Sequence, residues 1–203
     1  MFDARELTIE LACGEAEAAA IRDSAREKAA LRERMLKDAQ ELMLTVEPCL
    51  EEAMRAMDGV TKMDLSEVKA FKKAPASLER VFEAVNTMLG ERKPDWSSAK
   101  RRLADPSFLQ TIATFDKDNI PSKTTKAVHE LLQDPQLEPE NVRKVSRLGY
   151  ALCLWLRAMQ EYDKVAKSVE PMRAALKATD ESLGVIDATL REREAKLVRD
   201  TAR

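Results

Sequence analysis

The stretch WLRAMQEYDKVAKSVEPMRAALKATDESLGVIDATLREREAKL, residues 155–197, decides the fold class. Trp155, Tyr162, Val169, Leu176, Leu183, Leu190 and Leu197 recur at intervals of seven. A second series runs beside them: Met159 and Ala166, then Met172, Thr179 and Ile186. Two such positions per heptad return to one side of a helix, which is the pattern of a coiled-coil seam. The offset between the two series changes near Pro171, so register is weakly specified there. The helix is expected to begin near Asn141, with Gly149, Pro171 and Gly184 as its only breaks.

The N-terminal residues mirror this pattern. Alternating steps of four and three from Leu7 pass through Leu11, Gly14, Ala18, Ile21, Ala25, Lys28, Arg32, Met35, Ala39, Leu42, Val46, Cys49, Ala53 and Ala56. Gly14, Lys28 and Arg32 interrupt this seam, and its Ala-rich remainder is expected to pack loosely. A single helix is predicted from about Glu6 to Met57, disturbed only by Pro48.

Between the arms the chain changes character. Six of the eight prolines lie from Pro75 to Pro139. Each ends one short helix or opens the next. Asp64-Leu65-Ser66-Glu67 reads as a capping box opening a helix to about Lys72. Pro75 opens an amphipathic helix through Leu78, Phe82, Val85 and Leu89, closed by Gly90. Asp95 caps a helix to about Leu103, and Asp105-Pro106 caps another through Phe108 and Ile112. Pro121 opens one through Val128 and Leu132. Pro139 opens the last, which is expected to run on into the far arm.

Composition agrees with an all-α chain. Among 203 residues, 34% are charged, 4% aromatic and only 5 are Gly, whereas 44% are hydrophobic, enough for a core. The expected architecture is an antiparallel coiled-coil hairpin, a stalk, capped by a small globular bundle of short helices. The expected boundaries are 1–58 for the first stalk helix, 59–150 for the tip and 151–203 for the second stalk helix. Pairing Pro48 with Pro171, both in Val-Glu-Pro, sets Leu42 near Leu176 or Lys177, Met35 near Leu183 and Arg22 near Leu197.

Several function classes find no support. The apolar runs are far shorter than the roughly 20 residues of a membrane span, and the first residues lack a signal-peptide layout. Cys13, Cys49 and Cys153 have neither metal-site nor disulfide-framework spacing, which suits a reducing compartment. His129 is the only histidine. No Gly-x4-Gly-Lys-Ser/Thr phosphate loop is present and no two carboxylates converge by pattern, so neither catalysis nor a cofactor is expected. Trp96 and Trp155 read as core anchors. The charge is uneven: Val60–Tyr150 holds 16 Lys and Arg against 13 Asp and Glu, while the flanks hold 18 against 23. A basic middle between acidic arms suits an acidic partner.

The order and spacing of Asp64-Leu65-Ser66-Glu67-Val68-Lys69-Ala70-Phe71, Lys93-Pro94-Asp95-Trp96, Asp105-Pro106-Ser107-Phe108, Phe115-Asp116-Lys117-Asp118-Asn119-Ile120, Trp155-Leu156-Arg157-Ala158-Met159 and Tyr162–Pro171 resemble the stalk and microtubule-binding domain of dynein heavy chains, axonemal members in particular. The resemblance covers the tip and its junction with the stalk; the first 45 residues and last 25 match only as coiled coil. It implies a fragment that binds acidic tubulin for a motor whose ATPase ring lies elsewhere in the parent chain, in a cilium or flagellum axoneme. It implies microtubule contacts at Lys62, Lys69, Lys72, Lys73, Lys100, Arg101, Arg143, Lys144 and Arg147, the strongest being Lys62, Lys100 and Lys144. Glu140 matches an acidic position that tempers affinity, and is spaced to pair with Lys144. Pro48 and Pro171 mark the stalk–tip junction, where a half-heptad slide would relay nucleotide state. The expected partners are tubulin and the rest of the heavy chain, with no nucleic acid and no membrane. The alternative reading is a passive coiled-coil scaffold or adaptor that binds a protein through its globule.

Overall fold

The computed structural model describes residues 4–201, and among these every regular element is helical. Compactness divides the chain into two units: Met1–Glu41 with Val169–Arg203, and Leu42–Ser168.

The first unit holds most of α1 (Ala4–Leu44) and the C-terminal part of α9 (Arg147–Thr201). The heptad reading holds where side chains are described; its positions Leu7, Leu11 and Leu197 lie outside the described side chains. Ala18, Ala39, Val169 and Leu176 are buried, and Ile21, Ala25, Met35, Met172, Leu183, Ile186 and Leu190 are half-buried. The two helices run antiparallel: Arg22 pairs with Glu194 at 2.7 Å, and Arg32 pairs with Asp180 further back along α9. Glu17 pairs with Arg193. The two cations that interrupt the seam are accommodated by reaching across, Lys28 donating to the Ser182 hydroxyl and Arg32 to the Asp180 carboxylate. These half-exposed pairs fix register more than stability, at about 0–1 kcal/mol each.

The register differs from the expected one. Arg32 pairs with Asp180, seven residues short of the position that the Pro48–Pro171 pairing gives it, and Arg22 pairs with Glu194; the expected partner of Arg22, Leu197, lies outside the described side chains. The arms therefore do not follow the alignment implied by pairing Pro48 with Pro171. An Ala-rich seam packs almost equally well one heptad along, and polar cross-pairs settle the choice. The prolines also differ in effect. Pro171 is exposed and lies within an uninterrupted helix.

The second unit begins with the interruption that Pro48 creates. α1 ends at Leu44 in a turn closed by Thr45 N–H to Leu42 C=O and Val46 N–H to Met43 C=O, both 3.2 Å. α2 (Glu47–Asp58) starts with Pro48 in its first turn, where a missing N–H costs nothing. Past the break Ala53 and Ala56 still pack on the core as the seam predicts, joined by Leu50 and Met57, while Cys49 is exposed.

α3 (Lys62–Ala70) starts earlier than expected. Its N-cap is Thr61 and its capping box joins Thr61 to Asp64. α4 (Ala76–Met88) follows Pro75, and Gly90 closes it at φ 74°. α5 (Trp96–Ala104) is capped by Asp95 as expected. α6 (Phe108–Ala113) starts later than expected, because the Asp105 carboxylate accepts from Ser107 and closes a preceding turn. A 3₁₀ turn at Lys117–Asn119, α7 (Ser122–Leu132) after Pro121 and a second 3₁₀ turn at Pro135–Leu137 follow. α8 (Pro139–Arg143) does not continue into the arm: the chain breaks at 144–146 before α9 begins.

One core joins these elements. α4 packs on α5, α7 and α8, and α3 packs on α5. Phe82 meets Trp96 edge-on at 5.5 Å and Phe108 at 6.5 Å, and Phe115 meets Trp155 edge-on at 5.3 Å. Leu148, Leu152, Trp155 and Leu156 of α9 are buried among them.

Gly149, expected as a break, is instead a point of close packing in the first turn of α9. A Cβ there would meet Leu78 Cδ1 at 2.8 Å and Val142 Cγ1 at 3.0 Å, on side chains that are fully buried. Nothing lies within 4 Å of a Cβ at Gly184 in the same helix. Gly149→Val is therefore expected to lower unfolding free energy by about 2 kcal/mol through overpacking. Gly184→Ala should raise it by about 0.5–1 kcal/mol through helix propensity. Urea melts of both variants check the opposite signs.

Candidate functional site

The candidate site is built from three short helices whose ends are fixed by side-chain caps. At the start of α3 the Thr61 hydroxyl accepts from the Asp64 amide at 3.3 Å. The Asp64 carboxylate accepts from the Thr61 amide at 2.7 Å and its hydroxyl at 2.6 Å. Those hydrogen bonds, with a smaller contribution from the Arg147 charge, hold Asp64 below the ordinary aspartate pKa. Arg147 is the first residue of α9, so the starts of α3 and α9 are electrostatically linked. Lys62 occupies the first position of α3 and is exposed. A cation at a helix N-terminus opposes the helix dipole, so this lysine is not placed for the stability of α3. Lys69 is exposed near the other end, and Lys72 and Lys73 are exposed in the bend after the helix.

α5 is held in rotation by a buried link to α4. Asn86 Nδ2 donates to Ser98 Oγ at 2.9 Å, and the Asp95 carboxylate accepts from the Ser98 amide at 2.8 Å and the Ser97 hydroxyl at 2.7 Å. Ala99 and Leu103 thereby face inward. Lys100 is half-buried and Arg101 exposed. Arg101 and Arg102 share Glu91, at 3.8 and 3.4 Å, so part of the charge on α5 is already neutralised.

α8 is five residues long, its start tied down by Asn141 Nδ2 donating to the Pro135 carbonyl at 3.2 Å. Arg157 of α9 clamps the preceding loop, donating to the Leu137 carbonyl at 3.3 Å and pairing with Glu138 at 3.1 Å. Arg143 lies 5.4 Å from the Tyr150 ring and pairs with Glu140 at 3.7 Å. Glu140 thus pairs with Arg143, not with Lys144 as its spacing had suggested. The helix ends at Arg143, so Lys144 and Arg147 belong to the turn and to α9 respectively. Lys144 is exposed at the C-cap of α8, where the helix dipole favours a cation.

Among the described residues, Lys62, Lys69, Lys72, Lys73, Lys100 and Lys144 enter no ion pair, whereas Arg101 and Arg143 do. The packing of α3 on α5 brings the first cluster next to the second.

Other chemistry finds no footing. Among the described residues no group of His, Cys, Asp and Glu could hold a metal ion, and no helix is long and apolar enough to cross a membrane. His129 contacts Gln160. Cys153 is buried, donates to the Leu137 carbonyl at 3.0 Å, and has its thiol pKa pushed up by burial. Sequence reasoning missed the Asp64–Arg147 interaction, since nothing in the pattern joins residues so far apart. It also missed Met63, which is exposed beside Lys62.

Capped basic helices, one apolar core and antiparallel heptad arms define the class. The chain belongs to the family described as the microtubule-binding stalk of dynein motor, whose model matches residues 12–202. Human dynein axonemal heavy chain 2 is 36% identical over 166 residues, 82% of this chain and 4% of that protein. The dynein-1-beta heavy chain of the flagellar inner arm I1 complex of Chlamydomonas reinhardtii is 40% identical over 136 residues, 67% of this chain and 3% of that protein. The chain therefore spans only a few hundredths of the length of these relatives. Among solved structures it is similar to the microtubule binding domain of dynein-c: TM-score 0.58, 34% identity, 66% of this chain and 94% of that one.

The caps make a pH prediction. Asp64, Asp95, Asp105 and Asp116 all have pKa values lowered by hydrogen bonds from nearby residues. A lowered folded-state pKa gives a contribution that is complete above the unfolded aspartate value, about pH 4. It is lost as pH falls through the lower folded value. Thr61→Val removes the hydroxyl donor, so the Asp64 titration should move up toward the ordinary value while that of Asp95 stays in place. A carboxyl-carbon NMR titration checks it; an unmoved Asp64 would contradict the capping account.

Proposed function

We propose that this chain is the microtubule-binding element of an axonemal dynein heavy chain, and that it grips acidic tubulin through the cations of α3, α5 and the α8 turn. The match to the stalk family over residues 12–202 carries the reading. The unpaired, solvent-facing Lys62, Lys69, Lys72, Lys73 and Lys144, with half-buried Lys100, support it in physical terms. Cations without an internal partner attract an acidic surface at long range, raising the association rate in a salt-dependent way. Arg101 and Arg143 would add contacts after giving up their present carboxylates, and exposed Arg147 would add another. Glu140 would restrain affinity, both by repelling tubulin and by occupying Arg143.

In this reading the parent chain is an ATPase motor whose ring lies outside these residues, and it works in the axoneme of a cilium or flagellum. Coupling to that ring would run through the arms. Their seam is Ala-rich and crossed by Lys28 and Arg32, and such a seam holds neither of two registers by more than a few kcal/mol. The α1–α2 break at Pro48 and the tolerated Pro171 would then mark where a register change meets the tip.

Cosedimentation with microtubules tests the reading. Pelleting should weaken progressively with salt, since ions at about 0.15 M screen charges beyond roughly 8 Å. It should also weaken when the acidic tails of tubulin are removed. Absence of pelleting with the arms crosslinked in either register would overturn it. Lys62→Glu, Lys100→Glu and Lys144→Glu are each expected to cost about 2 kcal/mol or more of binding, at least tenfold, with helicity intact. Glu140→Gln should strengthen binding; weaker binding with the fold intact would mean that Glu140 contacts a basic residue of tubulin.

A further inference from the structure

The outward side of α3 is not uniformly charged. Helical geometry places Lys62, Ser66 and Lys69 along one line, with Met63 and Ala70 beside it. All five are exposed. Met63 is 82% exposed, more than Ile9, Val185 or Val198 in the arms. Isolated exposed apolar side chains are ordinary, so exposure alone assigns nothing. Three further observations single this one out. Met63 stands next to Lys62, a cation with no ion pair among the described residues and set against the helix dipole. Its other neighbour, Asp64, would repel an acidic partner, but its carboxylate is turned back into the capping box, where it accepts from the Thr61 amide and hydroxyl. Ser66 and Ala70 are small, which lets a partner approach the helix closely on that side.

We propose that Met63 is the apolar anchor of the α3 surface, inserting its thioether side chain into an apolar depression on tubulin while Lys62 and Lys69 engage acidic residues around it. This inference rests on the microtubule reading given above and deepens it. The lysines supply a long-range attraction that salt removes. Met63 supplies a short-range contribution from apolar burial, which salt does not remove. A flexible, unbranched side chain suits a pocket that changes shape during a motor cycle.

The test is microtubule cosedimentation of the 203-residue chain over a salt series, comparing the native protein with Met63→Ala, Met63→Leu and Lys62→Ala. Because Met63 is 82% exposed, the variants should match the native circular dichroism and melting temperature. Met63→Ala should lower affinity about tenfold at every salt concentration and leave the salt slope unchanged, in line with burial of most of one apolar side chain. Met63→Leu should restore affinity, and Lys62→Ala should flatten the salt slope. Native protein that pellets while Met63→Ala pellets equally well would overturn the role of Met63 and leave the microtubule reading standing. An effect of Met63→Ala that vanishes at higher salt would equally overturn it. Native protein that fails to pellet at any salt would overturn the microtubule reading, and the anchor with it.

Discussion

The burial of the first four turns of α9 is the constraint on which residues 42–168 depend. Ala151, Leu152 and Cys153 are consecutive and all fully buried, as are Leu148, Leu156 and Ala158, so this stretch is enclosed on all but the stripe that carries Arg147, Tyr150, Leu154 and Arg157. Each buried Leu in it contributes about 1.5–3 kcal/mol, and the short helices gain stability mainly by covering it. None of α3, α5, α6 or α8 exceeds 9 residues, too short to be helical alone in water. Their caps set where each begins; α9 sets why they persist.

Below the apolar stretch the same helix turns polar, and successive side chains reach different neighbours. Arg157 holds the loop before α8, Gln160 contacts His129 of α7, Tyr162 bonds Asp118 in the 3₁₀ turn and Asp163 accepts from Thr125 at 3.4 Å. Lys117 lies 5.1 Å from the Tyr162 ring. These contacts tie α7 and both 3₁₀ turns to α9. By contrast, the approach from the N-terminal side passes through a two-residue break at Thr45 and Val46. The side chains proposed to meet tubulin thus sit on a scaffold anchored chiefly by α9, which is what a binding surface needs if its cations are to keep fixed spacing.

Much of this was legible in the sequence for clear physical reasons. Heptads at Tyr162, Val169 and Leu176 encode burial by period alone, and Pro75, Asp95 and Pro121 encode helix starts by local chemistry. What failed needed information from distant residues. Gly149 reads as a breaker until Leu78 and Val142 are seen to press on it. The arm register was set wrongly because alanines at Ala18, Ala25 and Ala39 discriminate poorly between alignments, while the polar partners Asp180, Ser182 and Glu194 settle it. Pro48 and Pro171 share a tripeptide, yet one opens a helix and the other lies inside one. In the candidate site, the cations were legible by residue type and by family resemblance. The engagement of the Asp64 carboxylate by Thr61, and the partner of Glu140, were not.

The central claim is that the unpaired cations of α3, α5 and the α8 turn meet the microtubule. Lysine-acetylation footprinting by mass spectrometry, with and without microtubules, tests it most directly in the unmodified protein. The account predicts strong protection of Lys62, Lys100 and Lys144, with exposed Lys123 and Lys126 of α7 labelled equally in both states. Protection of Lys123 and Lys126 with unchanged labelling of Lys62, Lys100 and Lys144 would contradict it.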